Sequence, residues 1–301
     1  MTDPRQTETR TLARINLGVG VGVLAVKMAA FWISGSVAIF SDALESTVNV
    51  VTALVALGAL RVAARPADGR HPFGHHKAEF ISAVFDGVMI IVAALVILSE
   101  AVAALRDPAL PTSALGGMAF LLAASAVNGL WARHLIRRGR ALRAPALVAD
   151  GRHLMTDVFT SVGVVTGLGL ALATGWWMLD PLIAIAVALV ILWSGFTLVR
   201  ESLNGLMDEA ISAEEQTRIA AVIAREGGGA MQAHDLRTRH AGSVVFVDFH
   251  LVVPDRTTIY EAHEICDRIE DGIRAEMGRV EITIHVEPEH KSKSTGIMIL
   301  D

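Results

Sequence analysis

Two pairs of chemically capable side chains lie four residues apart in this chain: Glu45 with Asn49, and His153 with Asp157. A spacing of i, i+4 sets both members of a pair on one face of a helix. Both pairs fall inside segments apolar enough to cross a bilayer. Ionisable groups are expensive there and persist mainly along a substrate or ion path. Facing each other, the pairs offer a carboxylate, an amide oxygen, an imidazole and a second carboxylate, a donor set for a divalent cation. These residues point to a membrane protein that moves a metal ion. Asp42, one turn before Glu45, is either an extra ligand or an outer partner of the ligands. The plainer alternative for Glu45 and Asn49 is hydrogen bonding between helices.

The elements that must carry these pairs are transmembrane helices. Of the 301 residues, 52% are hydrophobic and 19% charged, with a mean hydropathy of +0.49; soluble domains are about a quarter charged. Six apolar stretches, at 13–34, 37–63, 80–105, 112–136, 146–175 and 179–203, each exceed the ~20 residues needed to span hydrocarbon. Basic residues fill alternate connections: Arg5, Arg10 and Arg14; Arg61, Arg65, Arg70 and Lys77; Arg133, Arg137, Arg138, Arg140, Arg143 and Arg152. The other connections carry almost none, so both termini are expected in the cytoplasm of a multi-pass protein in the cell (inner) membrane. Trp32, Trp176 and Trp177 fall near the outer ends, where aromatic belts form. The polar segment 1–12 has no cleavage-site pattern, so the first apolar stretch is expected to stay as an anchor.

After residue 207 the chain changes character. Between Asp208 and His290 there are 17 acidic residues against 8 arginines, and no further window can span a membrane. Together with the net charge of −5, this excludes a nucleic-acid partner. The single cysteine, Cys266, excludes an internal disulfide and a Cys-rich zinc site. Ser212 to Glu215 opens like a capped helix. Segments 233–239, 244–253 and 280–286 read as strands, and 257–277 as a helix with Ile259, Ala262, Ile265, Ile269 and Ile273 on its core face. The expectation is a six-helix transmembrane domain over 13–207 and an α-β-β-α-β domain over 208–290, with 291–301 disordered. A cytoplasmic domain of about 80 residues is marginal alone and gains from dimerisation or metal.

With these features the chain resembles the cation diffusion facilitator family over nearly its full length. The resemblance rests on Ser41-Asp42-Ala43-Leu44-Glu45 through Asn49, on His71-Pro72-Phe73-Gly74-His75-His76-Lys77-Ala78-Glu79, and on Ala149-Asp150-Gly151-Arg152-His153 through Asp157. Asp180-Pro181 and Ala233-His234-Asp235-Leu236-Arg237-Thr238-Arg239 complete it. The resemblance implies a homodimeric exporter with a ferredoxin-like cytoplasmic domain. Such proteins exchange cytoplasmic Zn²⁺, Fe²⁺, Mn²⁺, Co²⁺ or Cd²⁺ for protons across the lipid bilayer. It also implies that Glu45, Asn49, His153 and Asp157 form the transport site. The Glu–Asn pair departs from the usual His–Asp or Asp–Asp, which implies a looser site, less exclusively zinc.

Further sites follow from the same resemblance. Asp68, His71 and His75 match a loop metal site of some relatives, with His76 expected toward solvent. The competing role of that loop is structural, with Lys77 paired to Asp208 to lock the two halves together and Glu79 as a competitor for Lys77. In the tail, His234, His250, His263, His285 and Glu287 match a metal site that clamps two tails together. His240 and His290 are read as surface residues and Cys266 as core. Asn16, Asp86 and Asn128 are expected to hydrogen-bond between helices, with Asp86 the one nearest an ion path. Asp180 is expected to cap its own helix, and Gly18, Gly20 and Gly22 to mark close helix packing. No HExxH pattern is present, so an enzyme is not expected. The alternative to transport is a membrane metal sensor.

Overall fold

The computed structural model describes residues 4–106, 114–142, 145–242 and 244–299. Among these described residues, six helices are long and apolar enough to cross a membrane. They are α1 (Pro4–Ser34), α2 (Val37–Ala63), α3 (Ala78–Arg106), α4 (Ala114–Leu142), α5 (Pro145–Thr174) and α6 (Leu179–Leu206). Each expected stretch lies within or close to one of them. The ends extend beyond the hydrocarbon-spanning lengths because polar first and last turns can hydrogen-bond in water.

The chain divides into two compact units, residues 1–57 with 84–199, and 58–83 with 200–301. The division falls inside α2, α3 and α6: the last turns of α2 and α6 and the first turns of α3 share a unit with the loop between α2 and α3. In the first unit, backbones approach where glycines permit it. A Cβ on Gly87 would lie 2.9 Å from the carbonyl oxygen of Gly195, so α3 and α6 touch through their main chains. Gly151 brings α5 equally close to the carbonyl of Ala132 on α4. The expected packing at Gly18, Gly20 and Gly22 is not found: nothing lies within 4 Å of a Cβ at Gly18 or Gly22, and at Gly20 only an ordinary contact with Val50.

Polar side chains then pin the helices. Asp180 does not cap α6, as its place before Pro181 predicts. It accepts from Ser36 Oγ at 2.6 Å and from the Val37 and Ala38 amides at 3.1 and 3.4 Å, and so caps α2. The first amides of α2 have no intrahelical partner, and the buried carboxylate supplies one. Asn16 acts as expected, giving its amide to Asp150 at 3.3 Å and accepting from Trp131 Nε1 at 2.8 Å. These bonds join α1 to α4 and α5.

In the second unit, α7 (Ala213–Glu226), β1 (Gln232–Ala241), β2 (Val244–Val253), α8 (Ile259–Met277) and β3 (Val280–Pro288) follow the expected α-β-β-α-β order. Ser212 and Thr258 each close a capping box with Glu215 and Glu261, each cap contributing about 1 kcal/mol. Strand β1 runs antiparallel to β2, and β3 parallel to β2, with α8 as the crossover. Both helices cover one face of the sheet. Ile219, Ile223, Ile265, Ile269 and Ile273 pack there on Val247, Phe249 and Leu251, all buried. Ile259 is not on that face; it is 91% exposed at the first turn of α8.

The final segment corrects the expectation of a disordered tail after residue 290. A 3-10 turn at Glu289–Lys291 leads to β4 (Ile297–Met298), which pairs antiparallel with β1. Ile299 is buried in the core, and the Gln232 amide bonds the main chain of Lys293 on both sides. One apolar side chain and an open strand edge hold what a short polar segment does not advertise. The sheet order is β3-β2-β1-β4.

Candidate metal centres

The first unit contains a cavity of about 280 Å³ lined by Glu45 and Asn49 of α2 and by Thr156, Asp157 and Thr160 of α5. Ile90 on α3 and Ser194 on α6 complete its wall. Glu45, Asn49 and Asp157 thus converge on one cavity. Asp157 is 3% exposed, and its Oδ2 accepts from the Asn49 amide at 3.0 Å. The backbone of His153 continues α5 one turn before Asp157, but its side chain lies outside the described residues. Asp86 is not among the residues lining this cavity.

Asp42 has a different employment from the one its position invites. Its Oδ2 lies 2.7 Å from the ammonium of Lys27, and its Oδ1 accepts from Ser161. Sequence reasoning missed Lys27 and Ser161 in this unit. Lys27 is the one cation in the apolar part of α1 beyond Arg14, and that anomaly was the available signal.

The loop between α2 and α3 gathers Asp68, His71 and His75 as expected. Their donor atoms lie within 4.8 Å of one another. Asp68 accepts from the amides of His71 and Arg70, both at 2.8 Å, and these bonds hold its carboxyl below the usual carboxylate range. The imidazoles of His71 and His75 lie 3.3 and 3.5 Å from its two oxygens. Nδ1 of His75 is buried with no hydrogen-bond partner. Gly74 adopts φ +81°, the left-handed conformation that lets the turn fold back on itself. His76 does not face solvent as expected but is half-buried, with its carbonyl against Gly242.

Lys77 reaches Asp208 at 2.8 Å and the Leu206 carbonyl at 3.1 Å, while Arg239 meets the same Asp208 at 3.1 Å. The bond from Lys77, with the charge of Arg239 beside it, holds the Asp208 carboxyl below its ordinary value. Asp208 sits at φ 62°, uncommon for a residue with a Cβ. Arg239 also stacks on Phe246, 4.1 Å from the ring centroid.

On the sheet face opposite α7 and α8, pairing builds a row. His234 opposes His250, and His250 opposes His285. Glu287, two residues after His285 and so on the same face, reaches all three. Its oxygens lie 3.2 Å from His234, 3.3 Å from His250 and 3.8 Å from His285. His234 is 3% exposed. A bulge between His234 and Arg237, with Asp235 at φ 52°, turns Asp235 toward the row, where its donor atom groups with those of His234 and His250. Asp235 is an addition to the expected set. Its signal was only its place beside His234, and Lys293, 2.5 Å away, holds its carboxyl below the usual range. His263 stands apart from the row. It lies on the outer side of α8, 77% exposed, with Asp267 at 3.8 Å. The sheet stands between it and the row, so it cannot join that row within one chain.

Comparison with known proteins agrees with this layout. The model for the cation efflux transmembrane domain matches residues 13–207, and that for the cation efflux protein cytoplasmic domain matches 211–289. An uncharacterised transporter of Synechocystis, sll1263, is 43% identical over 286 residues, covering 95% of this chain and 92% of its own. The cation-efflux pump FieF of Klebsiella pneumoniae is 30% identical over 269 residues, 88% of each chain. Among solved structures, the zinc form of CzrB is 42% identical across 29% of this chain and 98% of its own, with a TM-score of 0.28.

Proposed function

The chain belongs to the cation efflux family, the cation diffusion facilitators, and on that premise we propose that it exports a divalent transition-metal ion from the cytoplasm in exchange for protons. The observation that carries this reading is the convergence of Glu45, Asn49 and Asp157 on one cavity inside the membrane unit. Zn²⁺ and Fe²⁺ are the foremost substrates, with Mn²⁺, Co²⁺ and Cd²⁺ also within reach of an oxygen-rich set containing one imidazole. His153, one turn before Asp157, is assigned as the fourth donor.

Charge explains the exchange. Glu45 and Asp157 together balance a dication, so the loaded site is near neutral. The empty site would leave two carboxylates in a low dielectric, which is costly. Protons relieve that cost by binding the same groups, so metal and proton compete. Alternating exposure of the site to the two sides converts the competition into antiport. The Asn49 amide, which now donates to Asp157, holds that carboxylate on its binding face. On metal entry its carbonyl oxygen is the atom to turn inward.

The alternation of basic connections supports cytoplasmic termini in the inner membrane, and the cytoplasmic domain supports a homodimer. The row His234–His250–His285 with Glu287 and Asp235 is assigned a regulatory metal. His263 can contribute only if a second copy brings it to the row. The loop set Asp68, His71 and His75 is assigned a weaker, exposed metal site, and Lys77 with Asp208 a structural lock.

The test is uptake of Zn²⁺, Fe²⁺, Mn²⁺ and Co²⁺ into proteoliposomes under an imposed proton gradient. Gradient-driven uptake of at least one ion supports the reading. Uptake indifferent to the gradient removes the proton half. No flux from a folded dimer removes transport and leaves the membrane metal sensor.

A further inference from the structure

The membrane unit contains a charge that the transport reading leaves unused. Lys27 lies well inside α1, and its side chain is 1% exposed. An ammonium buried in an apolar bundle is costly unless it is paired. Its partner is Asp42, also 1% exposed, with Nζ and Oδ2 2.7 Å apart. The second oxygen of Asp42 accepts from Ser161 Oγ at 2.5 Å. Both carboxylate oxygens are therefore engaged by protein groups.

Position gives this chain of contacts its meaning. Asp42 precedes Glu45 by three residues on α2, and Ser161 follows Asp157 by four on α5. Each lies on the ligand-bearing face of its helix, one turn from a proposed ligand. The contacts therefore tie α1 to both helices that supply the site. The Asn49–Asp157 bond is a separate tie between the same two helices.

We propose that Lys27, acting through Asp42, is a positioning residue of the transport site: the pair sets the spacing of α2 and α5 and withholds Asp42 from the cation. The inference rests on the transport reading above. With Asp42 held by Lys27 and Ser161, the membrane donor set keeps two carboxylates, matched to a dication. Released, Asp42 would add a third carboxylate one turn away and favour harder ions such as Mn²⁺.

The experiment compares native protein with Lys27→Met/Asp42→Asn, Lys27→Arg and Ser161→Ala in proteoliposome uptake, over concentration series of Zn²⁺ and Mn²⁺. Dimer content and melting temperature are checked for each. The neutral double variant avoids an unpaired buried charge, so it is expected to fold. Its KM is expected to rise roughly ten- to a hundredfold for both ions, as when groups orienting metal ligands are lost. Lys27→Arg should recover most of the native KM. Ser161→Ala keeps the ion pair while cutting the tie to α5, and should raise KM several-fold. A double variant that folds and keeps the native KM for both ions would overturn the inference, since the pair would then serve packing alone. Should the double variant not fold, an unchanged KM in Ser161→Ala would overturn it instead. Failure of the transport reading is distinguishable, because it shows as absence of flux in the native protein itself.

Discussion

The membrane cavity and the open face of the sheet both gather side chains of metal-ligand type, yet they are built in opposite ways. In the cavity, Glu45 and Asn49 come one turn apart from α2 and Asp157 comes from α5, few in number and hemmed by apolar walls. On the sheet, they come one per strand, His234, His250 and His285, collected across register by Glu287. A helical pair can lose its opposite pair when the helices move. A row bonded through adjacent strands stays together. The first suits a site that must load and unload; the second suits one that holds.

The variant expected to have the largest effect breaks the cavity and spares the sheet. Asp157→Ala removes the buried carboxylate and should lower gradient-driven flux by at least ~100-fold. Metal binding to the tail, followed by titration calorimetry, should be unchanged. His250→Ala is the reverse. It removes the middle of the row and should lower tail metal affinity by roughly 10–100-fold, while flux at saturating metal changes by only a few-fold. Equal losses of flux in both variants would erase the division of labour.

A subtler variant sharpens the cavity side. Asn49→Asp adds a negative charge beside Asp157, so metal should bind more tightly, by at least ~10-fold: a unit-charge contact at an effective dielectric near 20 is worth about 4 kcal/mol, from which carboxylate repulsion and proton competition subtract. Slower release should accompany it, lowering the maximal rate; uptake kinetics measure both. The smallest effect is expected at the lock. Asp208 is about half exposed, so Asp208→Asn should cost about 0.5 kcal/mol, read as a small shift in melting temperature. Because Lys77 holds the Asp208 carboxyl below its ordinary value, this contribution is complete above that ordinary value. It vanishes as pH falls through the lowered one. The native and variant melts should therefore converge in acid and differ at neutral pH.

The two regions were not equally legible in the sequence. Helix geometry is local, so Glu45 with Asn49 and the place of Asp157 could be read from spacing alone. So could the capping boxes at Ser212 and Thr258, whose partners lie three residues away. The sheet row depends on pairing between segments far apart in the chain, and resemblance supplied what spacing could not. Where resemblance listed ligands without saying which face they occupy, it included His263, which the sheet separates from the rest. Asp235 was passed over because only a bulge turns it inward. Lys27 and Asp180 show the same limit in the membrane, where each meets its partner on another helix. The return of the tail to β1 hangs on a two-residue strand and one buried isoleucine, too little pattern to read in advance.

The most direct test of the account is Zn²⁺ uptake into proteoliposomes under an outward-facing and a collapsed proton gradient, with native protein, Asp157→Ala and His250→Ala side by side. The account predicts gradient-dependent flux in the native protein, none in Asp157→Ala and near-native flux at saturating metal in His250→Ala. Flux that survives Asp157→Ala but disappears with His250→Ala would contradict it, placing the working metal site on the sheet.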